Sequence, residues 1–107
     1  MAFRSDLDAV VLGTLAEGPL HGYGIVKRVQ ESSHGLLKLG EGQLYPALHK
    51  LEEVGLVTAE WTQDEGKPFR RLYSLTPQGH QELQKRRSDW KQFAKSVNAL
   101  LKMNSDS

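Results

Sequence analysis

The chain contains no cysteine, which removes disulfides, thiolate metal sites and cysteine nucleophiles from consideration. No window approaches the roughly 18 uninterrupted apolar residues that a membrane-spanning helix needs. The N-terminal MAFRSDLDAVV places acids inside its apolar run, so it reads as a poor signal peptide, and a cytoplasmic location is expected. The four histidines, His21, His34, His49 and His80, match no metal-ligand spacing. There is no phosphate loop, dinucleotide fingerprint or nucleophile motif. HGYG at 21–24 fits none of these, and its glycines read as allowing close packing at a helix start. His49 with Glu52 or Glu53 reads as a solvated pair on a helix face. No catalytic residue, metal or cofactor is therefore expected, and the chain is not read as an enzyme. Internal repeats and low-complexity stretches are absent as well. The formal net charge is only +1, too small to mark a nucleic-acid binder by itself.

What is present is ordinary globular composition, 38% hydrophobic over 107 residues, enough for one small domain plus one extra element. The charge is polarised along the chain. Residues 41–66 carry six acids against Lys50, a net of −5, whereas residues 67–102 carry nine bases against two acids, a net of +7. For the charges after residue 80, a solvated helix face is the plain explanation.

Ser5 followed by Asp8 resembles a capping box. Leu7, Val10, Val11, Thr14 and Leu15 then form an apolar stripe, and Gly18-Pro19 ends this first helix. A second helix begins after His21 and turns Tyr23, Ile25, Val26 and Val29 toward a core, with Lys27 and Arg28 outward. Ser32 to Gly35 break it, and Leu36, Leu37 and Leu39 are expected to tether the connecting segment. In the third helix Leu44, Leu48, Leu51 and Val54 recur at helical spacing. Pro46 lacks an N–H, so this helix either begins near Gln43 or bends in its first turn. Both versions leave Gln43 and Tyr45 at an exposed tip. Gly55 marks its end. Three helices with short turns suit a helix-turn-helix.

Val57, Ala59 and Trp61 then alternate with Thr58, Glu60 and Thr62, turn through residues 63–68, and return through Arg71, Tyr73 and Leu75, predicting a two-stranded hairpin. Thr76-Pro77 is a helix start, Thr as N-cap and Pro at the first helical position. Nothing strongly breaks that helix before about Lys102. Leu83, Trp90 and Val97 lie seven apart, with Phe93 and Leu100 on a second seam that Arg86 interrupts. The seam needs a partner: a second copy of the same helix, or the protein's own first helix. The fold class predicted is mainly α with a small β-hairpin, a winged helix-turn-helix with a long C-terminal helix. Residues 1–76 are expected to form the winged helix-turn-helix domain, 77–102 a dimerisation helix, and 103–107 a frayed tail.

Three segments, HGYGI at 21–25, GQLYPALHKLEEVGLV at 42–57 and RRLYSLTPQGHQEL at 70–83, give the chain a resemblance to the PadR family of bacterial transcriptional regulators, in the short form without a separate C-terminal domain. The resemblance implies a homodimeric winged helix that binds palindromic operator DNA, acts as a repressor in many members, and in several is released by a planar aromatic effector near the dimer interface. It implies a recognition helix carrying Gln43, Tyr45, Pro46 and Lys50, with Tyr23 near a phosphate and Lys67, Arg70 and Arg71 in the wing. The seam residues Leu83, Trp90, Phe93, Val97 and Leu100 are then expected to form the dimer interface, with Trp90 and Phe93 walling a slot for a flat aromatic effector. Three alternatives stay open: Tyr23 and Tyr45 facing the core with wet hydroxyls, Trp90 as plain dimer core, and a winged-helix module that binds protein instead of DNA. The recognition segment departs from expectation in being acidic. Glu41, Glu52 and Glu53 would repel phosphate unless aimed away.

Overall fold

The structure, a computed structural model, describes residues 3–103, with side chains from residue 6 onward. The proposed Ser5 cap and the tail beyond Met103 lie outside what is described. The element order is α1 (Phe3–Thr14), β1 (Leu20–His21), α2 (Gly22–Ser32), α3 (Glu41–Glu53), β2 (Val57–Thr62), β3 (Arg70–Leu75) and α4 (Pro77–Leu100).

The core forms where the apolar stripes of α1, α2 and α3 meet. Val11, Leu12 and Leu15 pack with Ile25 and Val29 and with Leu44, Leu48 and Leu51, and Val57 and Tyr73 close the sheet side. Each stripe repeats every three or four residues, so each helix offers one apolar face and keeps its charges on the other. Among the described residues Thr14 is the buried polar one, and its hydroxyl donates to the Val11 carbonyl at 2.7 Å.

The sheet has three strands in the order β1-β3-β2, all antiparallel. The hairpin is as predicted, with Val57 opposite Leu75 and Trp61 opposite Arg71. The third strand is a correction. Leu20 and His21 pair with Tyr73 and Leu72, a two-residue match visible only once the distant strand is in place.

Other expectations are corrected in detail. Of the three leucines meant to tether the α2–α3 connection only Leu39 is buried, while Leu36 is 88% exposed. Tyr23 faces outward, because it follows the helix's first residue before the apolar stripe at Ile25 and Val29 begins. Val54 is the C-cap of α3 and is exposed, not core. The helix starts at Glu41 rather than Gln43. Pro46 thus lies in the second turn, where it removes one i→i−4 hydrogen bond.

Gly55 ends α3 at φ +82°, with the Leu56 N–H returning to the Leu51 carbonyl at 2.9 Å. Such a backbone conformation costs a glycine little. The start of α4 follows its sequence signal: the Thr76 hydroxyl accepts the Gly79 N–H at 3.0 Å, and Pro77 takes the first helical position. Spanning 24 residues, α4 is about 36 Å long. Its first part lies on α1 and buries Leu83 in the protomer's own core. The alternative of a helix folded over α1 therefore holds for that part. Leu83 is corrected from interface to core, because the seven-residue period does not distinguish a partner within the chain from one outside it.

Candidate nucleic-acid interface

The apolar side of α3 is spent on the core, which leaves Gln43, Tyr45, Pro46, His49 and Lys50 exposed. Gln43, Pro46 and Lys50 fall at intervals of three and four, so they share one outward stripe. Tyr45 stands beside it and leans on the start of α2. A Cβ at Gly22 would run into the Tyr45 hydroxyl, so the glycine permits this close approach. Tyr23 is 68% exposed one residue further along. Both tyrosines are thus more open than a core position allows.

The wing turn is held by its own hydrogen bonds. The Lys67 N–H donates to the Asp64 carbonyl at 3.0 Å, and Gln63 Nε2 donates to the Lys67 carbonyl at 3.1 Å. Gly66 takes the positive φ (+76°) the turn requires. Lys67 is exposed at this tip. Arg70 is also exposed but bonds Asp64 Oδ2 through Nη2 at 3.1 Å.

Arg71 stands apart from the other wing cations. It points to the face of the hairpin that looks toward α3, where its Nη2 donates to Glu52 Oε2 at 2.6 Å. The guanidinium lies 5.7 Å from the ring centroids of both Trp61 and Tyr73, within cation–π range. Sequence reasoning grouped Arg71 with Lys67 and Arg70. Strand alternation separates them, because Arg70 and Arg71 must point to opposite faces.

Between the wing and the start of α2 lies an open groove of about 410 Å³, lined by Tyr23, Tyr45, Trp61, Phe69, Arg70 and Arg71 among others. Sequence reading did not single out Phe69 or assign Trp61 to this site. The signal was available for Trp61, which continues the inward set Val57, Ala59 past the end of the core. No comparable signal marked Phe69. His21 joins from β1, its Nδ1 2.9 Å from the Arg71 carbonyl oxygen.

The acidity of the recognition segment is met in part, since Glu41 stays exposed. Glu52 is taken up by Arg71, and Glu53 hydrogen-bonds His49 Nε2 at 2.9 Å. The phenol of Tyr73 beneath them is pushed above its ordinary value of 10.0 by burial, with Arg71 pulling the other way.

Along α4 beyond Leu83 most of the large apolar side chains are open among the described residues. Trp90 is 52% exposed, Phe93 is exposed at a ring-centroid distance of 5.8 Å from it, and Leu100 and Leu101 are open further on. Val97 is half-buried. Arg86, within the expected second seam, pairs with Glu82 at 2.7 Å. Among the described residues no three histidine, aspartate or glutamate side chains gather as a metal site would require, and no helix is long and apolar enough to cross a membrane.

A family model, Transcriptional regulator PadR-like family, matches residues 11–85. The chain is 34% identical over 84 residues to the Negative transcriptional regulator PadR of Bacillus subtilis, covering 78% of this chain and 44% of that protein. It is 33% identical over 87 residues to a transcriptional regulator of Mycobacterium tuberculosis, covering 81% and 78%. Thus it spans less than half the length of the first relative and most of the second. Among solved structures it is similar to a transcriptional regulator from Clostridium thermocellum, with a TM-score of 0.82, 27% identity and 90% of each chain covered. It is also similar to Bacillus subtilis PadR in complex with operator DNA, with a TM-score of 0.68, 34% identity, and 74% of this chain and 45% of that one covered.

Proposed function

The chain belongs to the PadR-like family of transcriptional regulators, and from that membership we propose that it is a repressor that binds a palindromic operator as a homodimer in the cytoplasm. The observation that carries this is the outward stripe of α3 beside a basic wing. Gln43, Pro46 and Lys50 stand exposed while Glu52 and Glu53 further along the helix are paired. The relative crystallised with operator DNA shares the fold. In this reading residues 1–76 read DNA. The tip of α3 enters the major groove, where Gln43 meets a base edge and Lys50 a phosphate, with Tyr45 and Pro46 against the backbone. The Tyr23 hydroxyl and Lys67 and Arg70 hold phosphates on either side. Residues 77–102 carry the dimer through Trp90, Phe93, Val97 and Leu100, which puts two reading heads about one helical turn, roughly 34 Å, apart. A planar aromatic effector inserts between the paired Trp90 and Phe93 rings and loosens that spacing.

A mobility-shift titration on DNA upstream of the chain's own gene tests the reading, run across a range of salt and repeated with a panel of planar aromatic compounds. A specific shift is expected that weakens steeply with salt, follows a palindrome on footprinting, and is reversed by at least one compound of the panel. Retention of intact palindrome and single half-site with equal affinity would exclude the dimeric reader. No shift on any upstream fragment would favour a module that meets protein instead.

A further inference from the structure

We propose that Arg71 is a positioning residue that locks the wing to the recognition helix, rather than one of the cations that meets phosphate. The inference rests on the DNA-binding reading above. It starts from where the backbone puts the side chain. Arg71 sits opposite Trp61 in the β2–β3 ladder, on the face that also carries Tyr73. The guanidinium is therefore laid across two aromatic rings, 5.7 Å from each centroid, before it reaches Glu52 near the far end of α3.

The pair differs from most others in the molecule. The Arg71 and Glu52 side chains are 35% and 29% exposed and meet at 2.6 Å, whereas Arg70 and Asp64 are 49% and 64% exposed and meet at 3.1 Å. Arg71 Nε is shut away from solvent with no acceptor. That nitrogen is turned inward and is not offered to a phosphate from where it lies, and Nη2 is already engaged by Glu52. At the same residue the main-chain oxygen lies 2.9 Å from His21 Nδ1. One residue thus bridges β1, β2, β3 and α3.

The physical consequence is preorganisation. A two-stranded ribbon extending past its core is free to flex, and a flexible wing must be ordered when it binds. With Arg71 anchored on Glu52, the wing and the tip of α3 present themselves at one fixed angle. The same bond neutralises a carboxylate on the reading helix.

Glu52→Gln in the full chain separates strut from phosphate contact, because it keeps the shape and removes the charge. Operator affinity is measured against salt, and amide hydrogen exchange of residues 59–72 is followed without DNA. If Arg71 is a strut, Glu52→Gln weakens operator binding roughly three- to tenfold, leaves the salt slope unchanged, and speeds exchange in the wing. If Arg71 is a phosphate contact restrained by Glu52, the substitution frees a cation and removes a nearby anion, so binding tightens. That result, or wing exchange indistinguishable from the parent, would overturn the proposal. Lys67→Ala is the reference, expected to reduce the salt slope by about 0.9. Should the parent bind no DNA, the functional reading fails, and the strut is still decided by the exchange arm alone.

Discussion

At the scale of single residues, two of the three acids on the recognition helix, and one acid of the wing turn, are partnered. Arg71 takes Glu52, His49 takes Glu53 and Arg70 takes Asp64. The last two pairs are exposed and contribute little to stability, of the order of 0–1 kcal/mol. The Arg70 pair acts on the field that a phosphate would meet, as does the His49 pair when its imidazole is protonated. Tyr73 shows how the Arg71 cluster reaches stability. Burial raises its phenol above 10.0, against the opposing pull of Arg71, so the folded protein favours the neutral form. Below pH 10 both folded and unfolded chains hold the phenol neutral and this group contributes no slope. As pH rises past 10 the unfolded chain ionises first, and stability falls. Chemical denaturation followed from about pH 9 to 11 is expected to show that loss in the parent and a shallower one in Tyr73→Phe. Equal slopes would mean that the phenol is not shielded.

At the scale of elements, the decisive joint is where α3, β2 and α4 meet. The Thr76 hydroxyl donates to the Gly55 carbonyl at 2.6 Å and accepts from the Gly79 N–H, while the Thr76 N–H donates to the Leu56 carbonyl at 3.1 Å. Gly79 presses on the same carbonyl so closely that a Cβ would collide with its oxygen and stand 3.3 Å from Leu75 Cδ2. The obstacle is backbone and cannot swing aside. Gly79→Ala is therefore expected to cost about 2–3 kcal/mol, read as a lower thermal midpoint at fixed protein concentration, although alanine is the better helix former. An unchanged midpoint would show that α4 slides on the joint.

This joint was legible in advance because its signals are local: Gly55 after a periodic stripe, and Thr-Pro before one. The edge strand was not. Leu20 and His21 become a strand only through Tyr73 and Leu72, some fifty residues on. The bond from Arg71 to Glu52 is equally remote in sequence, so the cationic cluster at 67–71 read as one wing when strand alternation divides it. Periodicity alone turns Tyr23 toward the core for a different reason, although the family resemblance places it near a phosphate. Position two of a helix sits before the periodic pattern has settled which face is apolar.

At the scale of the whole molecule, α4 has two fates along its length. Leu83 is 4% exposed and belongs to the core formed with α1, whereas Trp90, Phe93 and Leu100 on the same helix stand open. The principal extents of 56 × 29 × 22 Å reflect that projection. An apolar seam without cover favours association with a like seam, and the division makes the two roles separable by substitution. Leu83→Ala removes buried methyls from the protomer and is expected to cost about 2–5 kcal/mol, lowering the melting temperature at every protein concentration. Phe93→Asp places a charge on the open seam and leaves Leu83 where it is. It is expected to give single chains by sedimentation at micromolar protein, with the winged-helix body still melting cooperatively. Operator affinity should then fall toward that of one half-site, since two heads no longer share one encounter. If Phe93→Asp remained dimeric, the exposed seam would not be the contact, and the spacing of the two reading helices would have to be set through another surface.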